Sequence, residues 1–333
     1  KKDLKLKYLK LTKNIFDNKN LGKVVIDKGI TNIHPVWSPG GKKFAYLSNS
    51  GNDYFSQTGL YIHDFIGESK KLSASAYSAP TWVNDSTIIF SKRSKSNLKG
   101  SKYFDLYKVV VNEKKPKPQR LTYNKRLYSP LFLKEKNMLV ALANFDGTTN
   151  IFVSDLDSVK FEPITFFDDG IYFSSISWDG ENLFVDVVKN QTKEIYTLNW
   201  EKGMIFPKEE NIWDDRDIDF SGKVKVHSRD KSGVFNLFYE NGFKKGYITN
   251  VIGGAFMPSI SNNGRILYSV YDNGSYKIAI LDTIKILKDN IVGYSSDYWE
   301  NTPIVEPIYE MNETNSSLYQ ESMSLLSFMP RVM

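Results

Sequence analysis

No cysteine occurs among the 333 residues, which excludes disulfides, thiolate-ligated zinc, iron–sulfur clusters and thiol nucleophiles, and leaves the redox compartment open. Histidine is almost as scarce. His34, His63 and His227 are the only three; they stand far apart, and no HExxH pair is present to build an imidazole metal centre. No run of about 18 apolar residues is available to cross a bilayer as a helix, and the opening KKDLKLKYLK has no apolar stretch of the kind a secretory leader carries. The chain opens on Lys1 and closes inside the apolar run SLLSFMPRVM, so it is expected to be an excerpt of a longer or processed protein. Charge of neither sign dominates: 44 Lys and Arg against 38 Asp and Glu leave +6, too small a bias to imply a nucleic-acid partner.

Aromatic residues, by contrast, are abundant. Six Trp, 20 Tyr and 21 Phe make up 14% of the chain, a bias toward strands and against a helical bundle. They recur at intervals. The segments at 34–48, 79–91, 129–142, 174–187, 217–228 and 257–270 each read as a short apolar strand, a polar Gly/Asp/Asn turn and a second apolar strand, the signature of a β-hairpin. Their anchors are Trp37, Trp82, Phe132, Trp178, Phe220 and Ile260, spaced 45, 50, 46, 42 and 40 residues apart. Periods of about 40 to 50 residues with four strands per unit belong to β-propeller blades.

A third alternating strand follows each hairpin, at 59–65, 104–111, 150–156, 194–200, 236–242 and 276–282. Short pieces at 70–73, 119–122, 162–165 and 246–249 fit as outer fourth strands. The sixth unit has no clear outer strand of its own, whereas KVVID at 23–27 is a strand with no earlier partner. Pairing the two closes the ring and removes an exposed edge. The predicted architecture is therefore all-β: a six-bladed propeller of four-stranded blades over residues 22–292, with an extension at 1–21 and an extended linker at 293–333. Leu4, Tyr8, Leu11 and Ile15 share one helical face, which favours a helix in the first extension over the strand suggested by Leu4, Leu6 and Tyr8.

At WSPGGKKFAYLS, QRLTYNKRLYSP and YITNVIGGAFMPSISNNGRILYS the chain resembles the TolB-type repeat family, whose blades carry a P-x-W-S-P-D-G-K hairpin preceded by a Leu-Thr strand. Only the first repeat keeps W-S-P-G-G-K, with Gly40 where the family usually has Asp. GVFNLFYENG together with ITNVIGGAFMPS is similar to the propeller segment of large bacterial envelope proteins, where it lies between a metallopeptidase-like region and an outer-membrane barrel. The resemblance implies a non-catalytic platform that binds protein or peptide, periplasmic or outer-membrane-associated, with neither cofactor nor metal. An alternative is a propeller that gates or supports a prolyl-oligopeptidase-like or metallopeptidase-like hydrolase whose catalytic segment is absent. A propeller acting on glycans through carboxylates at its mouth is another.

The residues carry little catalytic chemistry of their own. A prolyl-oligopeptidase-like hydrolase needs a G-x-S-x-G nucleophile elbow, and the nearest string is GYSSD at 293–297. The acidic strings DDRDID (214–219) and FFDDG (166–170) could offer oxygen ligands to a cation such as Ca²⁺, but lack D-x-D-x-D-G spacing. A carboxylate pair could serve glycoside hydrolysis only if its two members face each other across a pocket.

Candidate binding residues cluster at the loops that enter the innermost strands, where His34, Tyr77, Tyr128, Tyr172, Trp213 and Phe256 supply one ring per repeat. Rings at such a mouth bury large areas at low entropic cost and make binding hot spots; the competing reading is that they pack between blades. The loop 92–103 adds five cations, Arg93 and Lys95 among them, and no acid. Such a run is a solvated loop or a steering surface for an anionic partner. Trp37, Trp82 and Trp178 are predicted to be blade core.

Overall fold

The computed structural model describes residues 20–287 apart from 97, 146, 169, 190–191, 201, 209–212 and 243. The expected N-terminal helix and the linker at 293–333 lie outside the described residues. Within them the chain forms six antiparallel four-stranded sheets. Strand β1 (Lys23–Ile26) comes first and belongs to the last blade. Blade I contains β2 (Asn32–Trp37), β3 (Phe44–Ser48), β4 (Gly59–His63) and β5 (Lys70–Ser73). Blade II contains β6 (Thr81–Asn84), β7 (Thr87–Arg93), β8 (Phe104–Val110) and β9 (Gln119–Arg120), and blade III β10 (Leu127–Leu133), β11 (Met138–Phe145), β12 (Thr148–Asp155) and β13 (Glu162–Pro163). Blade IV follows with β14 (Tyr172–Trp178), β15 (Leu183–Lys189), β16 (Thr192–Asn199) and β17 (Met204–Pro207), and blade V with β18 (Asp215–Ser221), β19 (Val224–Arg229), β20 (Asn236–Asn241) and β21 (Lys244–Tyr247). Blade VI has β22 (Ala255–Ile260), β23 (Ile266–Asp272) and β24 (Ser275–Leu281), and β1 is its fourth strand.

The ring closes as the repeat arithmetic requires: Lys23 pairs with Ile280, Val24 with Ala279 and Ile26 with Ile278. No described helix is long and apolar enough to cross a membrane.

The apolar residues that build the strands also join the blades. Ala45, Leu47 and Leu60 of blade I pack with Trp82, Ile88 and Phe90 of blade II, and comparable clusters fill junctions II/III, III/IV, V/VI and VI/I. At IV/V the buried members are few: Phe184, Ile195 and Ile218, with Phe220 half-buried beside them. That junction holds buried charge instead, as described below.

The outer strands depart from the prediction in a systematic way. In the predicted pieces 119–122, 162–165 and 246–249, the threonine leaves the ladder and bonds back to the start of the third strand. Thr122, Thr165 and Thr249 donate their hydroxyls to Asp105, Asn150 and Asn236 at 3.0, 2.8 and 3.0 Å. Each hydroxyl also accepts the next amide, from Leu106, Ile151 and Leu237. This clasp satisfies polar groups that burial would otherwise leave unpaired, and it gives the Leu-Thr pattern a physical reason. Blade I varies the clasp, with Gly59 in the Asx place; a Cβ there would stand 2.7 Å from the Ser73 carbonyl oxygen.

Of the three anchoring tryptophans, Trp37 and Trp82 are 6% exposed, as blade core should be. Trp178 differs. It is half-buried, donates its indole N–H to Glu135 at 3.0 Å and stands edge-on to Trp200, because a carboxylate from blade III offers the indole a polar partner at the rim.

Candidate functional site

The innermost strand of each blade presents one edge to the central channel, so its backbone groups need partners other than a strand. The protein supplies them from the neighbouring blade. Thr81, Asp219 and Ser259, each just before its anchor, accept the amide of the next anchor: Phe132 at 3.0 Å, Ile260 at 2.7 Å and Trp37 at 3.2 Å. A second tier sits where the innermost strands bulge. His34, Ser129, Asp217 and Met257 occupy one equivalent position, three before the anchor, and all have positive φ, from 47 to 56°. The amides of Ser129, Asp217 and Met257 are taken by Ser78, Asp186 and Asp217 at 2.7, 2.8 and 3.2 Å. The channel they enclose is a cavity of about 170 Å³, with His34, Asp217, Asp219 and Met257 in its wall.

This belt assigns the acidic string of blade V. Asp217 and Asp219 hold backbone amides, and Asp215 forms a buried bidentate pair with Arg229, both contacts at 2.8 Å. Asp214 accepts the Lys193 amide at 3.0 Å. The structure thus gives these carboxylates protein partners, and among the described residues no group of three or more His, Asp or Glu side chains is arranged to hold a metal ion. FFDDG lies partly outside the described residues.

Junction IV/V gathers the charge. Arg216 donates through Nε to Asp217 at 3.0 Å, and Lys193 stands 4.0 Å from the Asp186 carboxylate. Burial, and then the neighbouring Asp217, push the Asp186 carboxyl above its ordinary range; burial pushes Asp219 up to about 6. Burial holds the His34 imidazole down to about 4. Asp186 and Asp217 belong to one hydrogen-bonded network, not to two walls of an open pocket.

The predicted mouth aromatics separate into different environments. Strands alternate in direction within a blade, so the segment entering the innermost strand and the loop joining the second and third strands emerge on the same face. On that face Tyr77, Tyr128 and Tyr172 converge on one cleft of about 380 Å³, together with Phe104 and Arg126. Tyr77 stacks on Phe104 at 4.0 Å and stands edge-on to Tyr128 at 6.5 Å. Tyr77 and Tyr172 are 52% and 44% exposed; Tyr128 is 8% exposed and donates its hydroxyl to the Phe173 carbonyl at 3.2 Å. Burial raises the pKa of the Tyr128 and Tyr172 hydroxyls, so both remain neutral donors at ordinary pH.

Arg93 lies over Phe104 at 5.3 Å and lines an adjoining hollow of about 410 Å³ that shares Tyr77 and Phe104 with the cleft. Lys95 is set apart, in a shallower hollow with Lys99 and Tyr123. His34 belongs to the channel wall. Phe256 packs against Phe235 and Tyr276 under the Arg216 guanidinium, and Trp213 lies beneath Lys231 and Arg229. Sequence reasoning overlooked Phe104 and Arg126. A ring at the start of the third strand of blade II and a cation just before the innermost strand of blade III were the available signal.

No family model and no curated protein matches the chain. Solved structures do. TolB from Acinetobacter baumannii superposes with a TM-score of 0.52 at 14% identity over 77% of this chain and 64% of that one. A TolB-type structure from Agrobacterium tumefaciens gives 0.50 at 13% identity, over 62% and 74%. The fold is that of a TolB-like six-bladed propeller. An acylaminoacyl peptidase from Pyrococcus horikoshii gives 0.51 at 13% identity, over 75% of this chain and 44% of the peptidase. At such identities the likeness is one of fold, and the TolB-like ring is shared by proteins of different activity.

Proposed function

We propose that this TolB-like propeller is a non-catalytic platform of the bacterial cell envelope that binds a protein or peptide at the mouth face of blades II to IV. The observation that carries this reading is the convergence of Tyr77, Tyr128 and Tyr172 with Phe104 on one cleft. Two exposed tyrosines on a buried tyrosine base form a rigid apolar surface with hydroxyls at its rim, the composition of a binding hot spot. The engagement of Asp215, Asp217 and Asp219 with Arg229 and backbone amides, and the lack of a G-x-S-x-G string, support the absence of catalysis. The periplasmic or outer-membrane-associated address follows from the TolB-type resemblance.

The test is recovery of a partner from envelope extract by the wild-type chain and by a Tyr77→Ala, Tyr172→Ala variant. Both tyrosines are exposed, so the variant keeps the core. Loss of the partner from the variant is the expected result; equal recovery places the binding face elsewhere.

The likeness to the Pyrococcus horikoshii peptidase favours one second reading, a propeller that serves a hydrolase. Turnover of peptide or glycan substrates by the purified chain, abolished by Asp217→Asn, would overturn the non-catalytic reading.

A further inference from the structure

The aromatic cleft is bordered by cations with unused hydrogen-bonding capacity. Arg93 lies over Phe104 at 5.3 Å, and Arg126 lies over Tyr103 at 4.8 Å and near Phe145 at 6.0 Å. Both arginines are exposed. Among the described residues their guanidinium N–H groups meet no carboxylate and no carbonyl, whereas Arg120 of blade II and Arg229 of blade V are spent on Asp105 and Asp215. A guanidinium held over a ring keeps its planar fork of five donors, and with no protein acceptor engaging them they are free to receive a carboxylate in bidentate fashion. Lys102 stands at the same cleft.

The two arginines occupy two compartments. The stacked pair Tyr77 and Phe104 is common to both hollows and forms the ridge between them, with Arg93 on one side and Arg126 on the other. Resting on the platform reading above, we infer that the occupant is an acidic peptide segment crossing this ridge. It seats an aromatic or large apolar side chain against Tyr77 and Tyr172 and places a carboxylate on either side, one on Arg93 and one on Arg126. Charge complementarity selects this class of ligand: the loop 92–103 contains five cations and no acid. The ring-lined depth of the cleft gives an apolar side chain a seat that a headgroup or a base-free anion would leave unfilled.

The probe is a fluorescein-labelled peptide with one tryptophan between two pairs of glutamates, compared by anisotropy with its all-glutamine version on the full chain. Wild type is expected to bind the acidic peptide at least about tenfold more tightly than the glutamine one, each charge-assisted bond being worth that much or more, and the difference should shrink as salt rises. An Arg93→Gln, Arg126→Gln variant should lose this preference, its affinity for the acidic peptide falling to that for the glutamine one. Both positions are exposed, so an unchanged melting temperature is the folding control. Equal affinity of wild type for the two peptides overturns the inference and leaves the platform reading standing. So does a preference that survives in the arginine variant, or arginine-dependent binding of anionic vesicles with no response to the peptide. Unaltered binding of both peptides by Tyr77→Ala, Tyr172→Ala overturns the platform reading itself.

Discussion

Asp219 shows how one side chain can be a structural acceptor and an energetic liability at once. It takes the Ile260 amide at 2.7 Å and so ties blade V to blade VI, yet burial pushes its carboxyl from 3.8 up to about 6. The sign of the consequence follows from linkage. Between pH of about 4 and 6 an unfolded chain has released this proton while the folded one still holds it, so the contribution to stability falls as pH rises through that window and is flat above it. Asn in its place keeps a carbonyl for the Ile260 amide and carries no charge. Asp219→Asn is therefore expected to be more stable than wild type at pH 8, by about 1–3 kcal/mol, with the gain vanishing near pH 4. Denaturant melts at the two pH values check it; a gain independent of pH would contradict the assignment. His34, held down to about 4 from 6.5, acts in the opposite sense, losing stability as pH falls through its window. The difference between variant and wild type cancels that term.

At the scale of the element, the third and fourth strands of a blade are held together as much by a side-chain clasp as by a ladder. β9 and β13 have two residues each, too few to pair securely. Thr122 and Thr165 reach beyond them to the Asx residue at the start of the third strand. In blade V the same clasp is fully buried, with Thr249 and Asn236 both 0% exposed. Thr249→Val is close to isosteric, but strands the Leu237 amide and removes a donor from Asn236; it should cost about 1–3 kcal/mol, measured by urea unfolding. The Leu-Thr signal was legible in the sequence, but its partner was not. Asp105 and Thr122 lie 17 residues apart, and only the antiparallel register of the third and fourth strands brings them together.

For the molecule as a whole, β1 is the closing piece. It carries Ile26 into a junction cluster with Trp37 and Phe44 of blade I and Leu267 and Ile278 of blade VI. Ile26→Ala is expected to cost about 2–5 kcal/mol, more than a fourth strand at the periphery of a blade would suggest. Removing residues 1–26 should also expose the edge of β24 and promote association through it. Light scattering and the melting temperature check this, and a monomer with the wild-type melting temperature would show that the ring does not depend on its closure.

The sequence by itself determined the number of blades, their hairpins and the strand that closes the ring. Those features rest on local alternation and on a repeat, and every repeat must bury the same apolar faces. It also brought the tyrosines into view, but as one ring per repeat, and they do not share a position. His34 sits at the bulge three residues before its anchor, Tyr128 and Phe256 one place earlier, and Tyr77, Tyr172 and Trp213 earlier still. A shift of one residue at a bulge turns a side chain from channel wall to mouth. Tertiary structure alone decided which rings converge, because Phe104 opens the third strand of blade II and Arg126 stands in the loop before β10, and no periodicity within either segment brings the two to one cleft. It alone gave the blade V carboxylates their partners, since an inner strand facing a channel has an edge to satisfy, and the nearest oxygen belongs to the neighbouring blade.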